Sequence, residues 1–311
     1  LPIVASDSLS RLIALDWGTS SARAYRIGAG GAVLDRREAP LGILHVRSGG
    51  FGAALLELLG DWAALALPRI AGGMIGSRQG WIEAPYVDCP ADAAALAAGL
   101  ARTPGGELAI VPGLVCRDRD GVPDVMRGEE TQLAGAVADD ESDVIAVLPG
   151  THSKWARIDR GRILGFSTYM TGELYAVLIA HSILGRLASP RAEGLPPAQD
   201  AFVAGVQRGL AGSGLSHAVF GARTRALMGE LPADEVGEWL SGVLLGEEIA
   251  AARRWVGAEA LHAPVQVIGS DALAQRYRVA LTVGGIPAVA GPLDAAAQGL
   301  FRIARMAGLC R

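Results

Sequence analysis

At 311 residues the chain exceeds the size at which one hydrophobic core usually stops growing, so two domains are expected. A net charge of −4 and a pI near 5.8 exclude the basic footprint of a nucleic-acid surface. Cys89, Cys116 and Cys310 are odd in number, widely spaced and without a CxxC, which excludes a disulfide framework and a zinc site and fits a reducing cytoplasm.

The N-terminal LPIVASDSLSR has no basic segment followed by an apolar core, so no secretion signal is expected. Residues 11–16 form an apolar run entering a turn, 22–27 alternate, and 32–37 follow a Gly-rich turn. This order predicts a strand, a tight turn and a hairpin. Residues 51–67 predict a helix, 68–76 a buried strand running into Gly72-Gly73, 92–101 an Ala-rich helix and 108–112 another strand. Residues 127–139 have helical spacing with an acidic start, as the positive end of a helix favours, and are expected to carry the chain between the two domains. Strands alternating with helices favour an α/β layered architecture.

Residues 143–148 then enter a PGTHS turn, with short strands at 154–158 and 162–167. Laying Gly150 over Gly18 aligns GTHSKWARID with GTSSARAYRI, each after an apolar strand and before a glycine turn, which argues for a duplicated domain. Helices are expected at 171–187, 198–212, 215–229 and 233–257, a strand at 265–269 and a closing helix at 291–307, with 188–197 as a surface loop. The mean hydropathy of +0.31 is high. The longest apolar stretches, near 63–76 and 174–184, are nevertheless broken by Pro68, Arg69 and His181, short of the roughly 20 residues of a membrane span. The 42 glycines, about twice average usage, sit singly or in pairs where tight turns or close backbone approach need them.

Three glycine turns carry the chemistry. Asp16-Trp17-Gly18-Thr19-Ser20 places a carboxylate at a strand end beside a glycine, two hydroxyls and backbone amides, the groups that a magnesium-bound polyphosphate needs. A hairpin turn with a local Asx bond explains the same residues equally well. The second turn, Gly150-Thr151-His152-Ser153-Lys154, repeats the amides and hydroxyls but has Leu148 where Asp16 would fall. It offers phosphate contacts, with the Lys154 ammonium as a clamp, and no metal ligand. At Gly269-Ser270-Asp271 a strand runs into a helix, where a purine could lie against Gly269 or Ser270 could simply cap the helix.

DWGTSSARAY, AGGMIGSRQGWIEAPY (71–86), PDVMRGEETQLAG (123–135), LPGTHSKW (148–155) and FSTYMTGELYAVLIAHSILG (166–185) resemble the 2-dehydro-3-deoxygalactonokinase family over nearly the whole chain. The resemblance implies the actin, sugar kinase and Hsp70 superfamily and its duplicated ribonuclease H-like, actin-like ATPase fold, with two lobes around a nucleotide cleft. It implies ATP and Mg²⁺ as cofactors and transfer of a phosphoryl group to the 6-hydroxyl of 2-dehydro-3-deoxy-D-galactonate, a small sugar acid. The lobes are expected at 1–138, with the sugar acid and the first phosphate turn, and at 139–290, with the second turn and the adenosine side. Residues 291–311 form a closing helix returning towards the first lobe.

In the superfamily a carboxylate near the start of the helix preceding the second lobe acts as base. Here that position offers Glu130, then Glu129, then Asp124, each with plain helix N-terminal charge as its alternative. Asp16 is the expected metal ligand. A keto acid calls for a planar cation, and Arg78 and Arg127 are placed for it, with Gly76, Ser77 and Tyr86 beside them. Each arginine could instead form a salt bridge, and Trp81 could line the pocket or belong to the core. Thr171 is expected to cap its helix, and Glu247-Glu248 reads either as solvated charge or as an adenine-side contact. A kinase for another sugar and a kinase-like sugar sensor are the rivals. A sensor of the repressor type would need a helix-turn-helix and a basic patch, and neither is visible. A homodimer is compatible with the sequence and not required by it.

Overall fold

The computed structural model describes residues 10–192 and 198–311. Residues 1–9 of the stretch read for a secretion signal, and the Pro196-Pro197 end of the 188–197 loop, lie outside the described residues. The chain is organised as two compact units. One comprises the residues up to Asp143, Ile158–Phe166 and Pro292–Arg311, and the other Val144–Arg157 and Ser167–Gly291. The segment 158–166, expected in the second lobe, thus groups with the first unit.

In the first unit β1 (Ser10–Trp17), β2 (Ala22–Gly28) and β3 (Val33–Ala39) form an antiparallel meander. After α1 (Phe51–Leu59), β4 (Arg69–Gly72) joins parallel to β1 and sets Asp16 opposite Gly72. Leu12, Ile13, Ala14 and Leu15 are all fully buried, as an interior strand covered on both faces requires. Leu15 and Trp17 share a core with Leu55, Leu58 and Leu59 of α1. The helix expected to reach 67 stops at Leu59, because Gly60 turns left-handed (φ 52°). The apolar pattern beyond it belongs to a 3₁₀ turn whose Trp62 lies under the Arg37 guanidinium, 4.1 Å from the ring centre.

The chain continues through β5 (Tyr86–Asp88), α2 (Ala93–Ala98), β6 (Ala101–Arg102), β7 (Ala109–Ile110), β8 (Gly113–Arg117), β9 (Pro123–Met126) and α3 (Glu129–Ala136). The main sheet has the order β3-β2-β1-β4-β7-β6, while β5, β8 and β9 form a separate small sheet in the order β5-β8-β9. These last three strands were not expected. They are short and half exposed, and their sequences carry no clear alternation. The α3 helix lies within the first unit, where it packs on the closing helix Ala295–Met306.

The second sheet begins with β10 (Val144–Leu148), β11 (Ser153–Asp159) and β12 (Arg162–Tyr169). Then come α4 (Thr171–His181), α5 (Gln199–Leu210), α6 (Leu215–Leu227), α7 (Val236–Val256), β13 (Val265–Val267), α8 (Asp271–Val283) and β14 (Ala288–Ala290). Its sheet order, β12-β11-β10-β13-β14, repeats the third-second-first-fourth arrangement of the first sheet, again with the fourth strand parallel to the first. The duplication expected from Gly18 and Gly150 is therefore present in the topology. Each glycine opens the turn between strands one and two of its sheet.

Part of the glycine excess is explained in the second unit. The α5 and α7 helices touch through Gly205 and Gly209 on one and Gly242 and Gly246 on the other. A methyl group at Gly205 would lie 2.1 Å from the Trp239 carbonyl oxygen, and one at Gly242 would lie 2.2 Å from that of Phe202. Four-residue spacing on both helices puts backbone against backbone. Gly205→Ala and Gly242→Ala should each cost about 1–3 kcal/mol by overpacking, measured as a lower thermal midpoint. An unchanged midpoint would show that the two helices part without cost.

Candidate active site

The first glycine turn is held from behind. The carbonyls of Gly18, Thr19 and Ser20 accept hydrogen bonds from the amides of Ile43 (3.1 Å), Leu44 (3.1 Å) and Gly42 (3.2 Å). Gly42 permits this approach, since a methyl there would meet the Thr19 oxygen at 2.3 Å. With its carbonyls committed, the turn presents Thr19 and Ser20 to solvent, and among the described residues their amides have no partner within the chain. That is a ready anion cradle. Asp16, at the end of β1, pairs with Arg23 across the hairpin (3.6 Å), and Arg23 pairs in turn with Glu38 (3.2 Å). Burial raises the Asp16 pKa, and the Arg23 charge draws it partly back.

Three backbone segments meet beside Asp16. Gly73 is left-handed (φ 96°), and a methyl on it would lie 2.7 Å from the Trp17 carbonyl oxygen. Gly128, also left-handed (φ 110°), approaches Gly73 Cα at 3.2 Å by the same measure. The start of α3 is thereby brought next to the ends of β1 and β4. There the two glutamates separate. Glu130 is fully buried and accepts from the Gly128 amide at 2.7 Å, and its other oxygen, Oε1, has no partner among the described residues. Burial, with Glu129 nearby, pushes its pKa up to about 8, so it holds a proton at neutral pH. Glu129 is half-buried and accepts from the Arg127 amide at 3.1 Å. The two glutamates, expected in the order Glu130 then Glu129, thus differ in access, Glu130 being fully buried and Glu129 half-buried. Asp124 lies on β9 opposite Cys116, not at the helix start.

Arg127 is the most telling side chain of the first unit. Its Nη2 donates to the Ala84 carbonyl at 2.9 Å and its guanidinium lies 4.4 Å from the centre of the Tyr86 ring, yet among the described residues its buried Nε and Nη1 have no partner. The Ser77 hydroxyl is likewise buried and unpartnered. Gly76 leaves the space, since a methyl there would come within 3.0 Å of Arg127 Nη1. Gly113 lets the Tyr86 ring lie close, a methyl there being 2.6 Å from the ring. Buried donors without acceptors are rare in native proteins, and groups of this kind are suited to receive an anion. Arg78 does not join them. Its side chain is 86% exposed and pairs with Glu83 at 3.3 Å. Trp81 stacks on Phe51 with ring centres 6.3 Å apart and packs against the core.

In the second unit the turn at Gly150 is clasped by α4. A methyl on Gly172 would lie 2.5 Å from the Gly150 oxygen, and the Glu173 amide donates to the Thr151 carbonyl at 3.0 Å. Among the described residues the Gly150 and Thr151 amides have no partner within the chain. The His152 ring nitrogen Nε2 contacts the Glu173 carboxylate, and both side chains are partly exposed. Ser153 and Lys154, expected as phosphate ligands, turn away because β11 has already begun. The Ser153 hydroxyl is buried and donates to Glu248 at 2.7 Å, and the Lys154 ammonium is buried and donates to Thr168 at 2.8 Å. Gly269 and Ser270 are exposed at the start of α8, and a methyl on Gly269 would lie 3.5 Å from the Pro149 ring.

Beside this turn lies a cavity of about 280 Å³, with Gly150 and Gly172 at one end. Leu244, Leu245 and Leu273 supply its apolar lining, while Glu238, Ser241 and Arg276 are polar. Arg276 is pinned by Glu238 (2.7 Å) and by the Ser241 hydroxyl (3.0 Å). Behind the wall, Glu248 is neither solvated nor a direct contact of the cavity. It is buried and accepts from Ser153, from the Trp155 indole (2.8 Å), from Thr171 and from the Tyr277 hydroxyl (3.0 Å). Burial raises its pKa against the pull of these donors. Thr171 therefore does not cap α4. Met170 holds the cap position.

Arg23 was not read as a candidate, and Glu248, read as solvated charge or an adenine-side contact, is instead a buried bridging group. Arg23 had a legible signal, standing across a two-strand hairpin from Asp16, whereas Glu248 stands almost a hundred residues from Ser153 and its burial depends on tertiary packing. Glu130 yields a test. Held near 8 in the fold against its ordinary 4.5, it keeps a proton that the unfolded chain releases. Its stabilising contribution is full below pH 4.5 and is lost as the pH rises to about 8. Glu130→Gln, neutral throughout, should melt progressively higher relative to wild type across that window, and a constant difference would mean that Glu130 is ionised in the fold.

The sequence matches the family model described as 2-keto-3-deoxy-galactonokinase over residues 16–303. It is 39% identical over 287 residues to the 2-dehydro-3-deoxygalactonokinase of Escherichia coli (strain K12), covering 91% of this chain and 94% of that one. The crystal structure of a Sinorhizobium meliloti protein assigned as a 2-dehydro-3-deoxygalactonokinase is similar with a TM-score of 0.83 at 39% identity, over 94% of this chain and 98% of that one. An activator of 2-hydroxyisocaproyl-CoA dehydratase from Clostridium difficile shares the fold alone, with a TM-score of 0.51 at 12% identity over 95% of each chain. With the family model spanning most of the chain and close relatives matched nearly end to end, this protein belongs to the 2-keto-3-deoxy-galactonokinase family.

Proposed function

We propose that this protein transfers the γ-phosphoryl group of ATP to the 6-hydroxyl of 2-dehydro-3-deoxy-D-galactonate, giving the 6-phosphate and ADP in galactonate catabolism. The observation that carries this reading is the guanidinium of Arg127, whose buried Nε and Nη1, like the Ser77 hydroxyl, have no partner among the described residues. A carboxylate supplies acceptors in the planar, paired geometry that arginine favours. The Tyr86 ring against the other face of the site fixes the guanidinium and offers an edge to the sugar carbons. Family membership and the names of the relatives support the substrate.

In this reading the adenosine occupies the second-unit cavity, bordered by Gly150 and by the helix that follows Gly269 and Ser270. The amides of Gly150 and Thr151 in the second unit, and separately those of Thr19 and Ser20 in the first, are each suited to phosphate oxygens, and His152, steadied by Glu173, adds a polar contact to the former. Among the described residues no cluster of three or more carboxylates, histidines or cysteines could hold a metal. Asp16 alone fits the habit of Mg²⁺, which takes one or two carboxylates and completes its shell with waters and phosphate oxygens. Bound there, the ion would neutralise charge developing on the phosphates.

Glu129 takes the proton of the 6-hydroxyl. As the alcohol oxygen forms its bond to the γ-phosphorus, the bond from that phosphorus to the β-phosphate oxygen breaks and the electron pair leaves with ADP. Glu130, next to Glu129 in sequence, holds a proton at neutral pH and so adds no second negative charge there. In a coupled ADP assay Glu129→Gln should lower kcat by 10²- to 10⁴-fold (order of magnitude for a general base) with sugar-acid binding intact. Arg127→Lys should instead raise the KM for the sugar acid and leave that for ATP in place. Wild type that binds the acid and releases no ADP would mark a sensor and sink the kinase reading, and full activity in Glu129→Gln would remove it as base.

A further inference from the structure

The buried Glu248 joins four elements at one carboxylate. Ser153 opens β11 directly after the second phosphate turn, Trp155 follows two residues on, Thr171 opens α4, and Tyr277 stands on α8. Three of these donors, Ser153, Thr171 and Tyr277, converge on the same oxygen, Oε2, while Trp155 takes Oε1. Two of the three, Thr171 and Tyr277, also line the cavity. The third adjoins the turn whose amides stand open. A hydrophobic side chain of similar size would hold α7 against its neighbours at less cost in desolvation, but it would not fix the direction of any of these groups.

The clasp between α4 and the turn reinforces the arrangement. Gly172 sits on the Gly150 carbonyl, and the Glu173 amide bonds the Thr151 carbonyl, so moving Thr171 moves the turn. We infer that Glu248 is a positioning residue for the nucleotide, locking the second phosphate turn, the start of α4 and the Tyr277 wall of the cavity into one seat. The inference rests on the cavity's being the adenosine site proposed above. Glu248 itself touches neither the nucleotide nor the reacting atoms. It acts through Ser153, Thr171 and Tyr277.

Glu248→Gln is the variant of choice, because the amide oxygen can still accept from Trp155 while the amide nitrogen faces hydroxyls able to accept in turn. Binding of ADP and of the sugar acid would be measured by titration calorimetry on the full chain, beside kcat/KM for ATP. The expected result is a loss on the order of 10²-fold in kcat/KM for ATP and weaker ADP binding, with sugar-acid binding unchanged. Thr171→Val should weaken ADP binding in the wild-type background and add nothing in the Glu248→Gln background, since both break one network. If Glu248→Gln fails to fold, Thr171→Val and Tyr277→Phe remove single tethers and should each weaken ADP alone.

Equal losses for ADP and the sugar acid, or unaltered ADP binding in all three variants, would overturn the inference while leaving the kinase reading in place. Wild type that binds no ADP would overturn the nucleotide reading and this inference with it.

Discussion

A guanidinium taken out of water must find partners, and Arg127 finds only some of them. One N–H group is satisfied by the Ala84 carbonyl and the ring of Tyr86 covers a face, but two further donors are left buried and unanswered. Such an arrangement costs free energy, which a bound anion would offset. Much of the first unit is arranged around it. Gly76 keeps clear of the guanidinium, Gly113 makes room for the Tyr86 ring, and the small sheet β5-β8-β9 holds that ring in register. The left-handed Gly128 then turns the chain directly from Arg127 into α3, so that the anion site and the glutamates are neighbours in sequence as well as in space.

The duplicated fold supplies two turns of the same shape and differing chemistry. At the end of the first strand of each sheet, Asp16 stands in one unit and the buried Leu148 in the other, so only the first turn carries a charge suited to a cation. The following residues diverge as well. After Gly18 the hydroxyls of Thr19 and Ser20 stay at the surface, whereas after Gly150 the strand begins sooner and draws Ser153 and Lys154 into the interior. Glu248 answers the buried hydroxyl of Ser153, and Thr168 answers Lys154. One turn is thus equipped for charge and the other is braced by a buried network.

What could be read in the sequence and what could not follow from the range of the interactions. The strands flanking both turns, the repeat itself and the helices α4 to α8 were legible, because apolar periodicity and glycine breaks are local signals. Arg127 and Ser77 were legible as candidates by their place in long shared blocks, and the structure adds that their donors are unpartnered. Arg78 looked equivalent to Arg127, and only the path of the chain after Ser77 sends it to the surface. The order of Glu129 and Glu130 was not legible, since adjacent helix positions differ in burial only through what packs on them. Lys154 misled because a lysine after a glycine turn usually stays near its phosphate, while β11 is buried on both faces from Ser153 to Ala156 and takes this one inward. The short strands β5, β8 and β9 gave no periodic signal, and the Glu248 network joins residues too distant in sequence for any spacing rule.

The central claim is that Arg127 is reserved for the carboxylate of the substrate. It is tested most directly by comparing kcat/KM of the wild-type protein for 2-dehydro-3-deoxy-D-galactonate and for its carboxamide at saturating ATP. The two are nearly the same in size and share the 6-hydroxyl, and they differ in the charge offered to the guanidinium. The account predicts a loss on the order of 10²-fold or more for the carboxamide, because the buried donors are then poorly answered, and a much smaller difference in Arg127→Lys. Equal turnover of acid and carboxamide by wild type would contradict it.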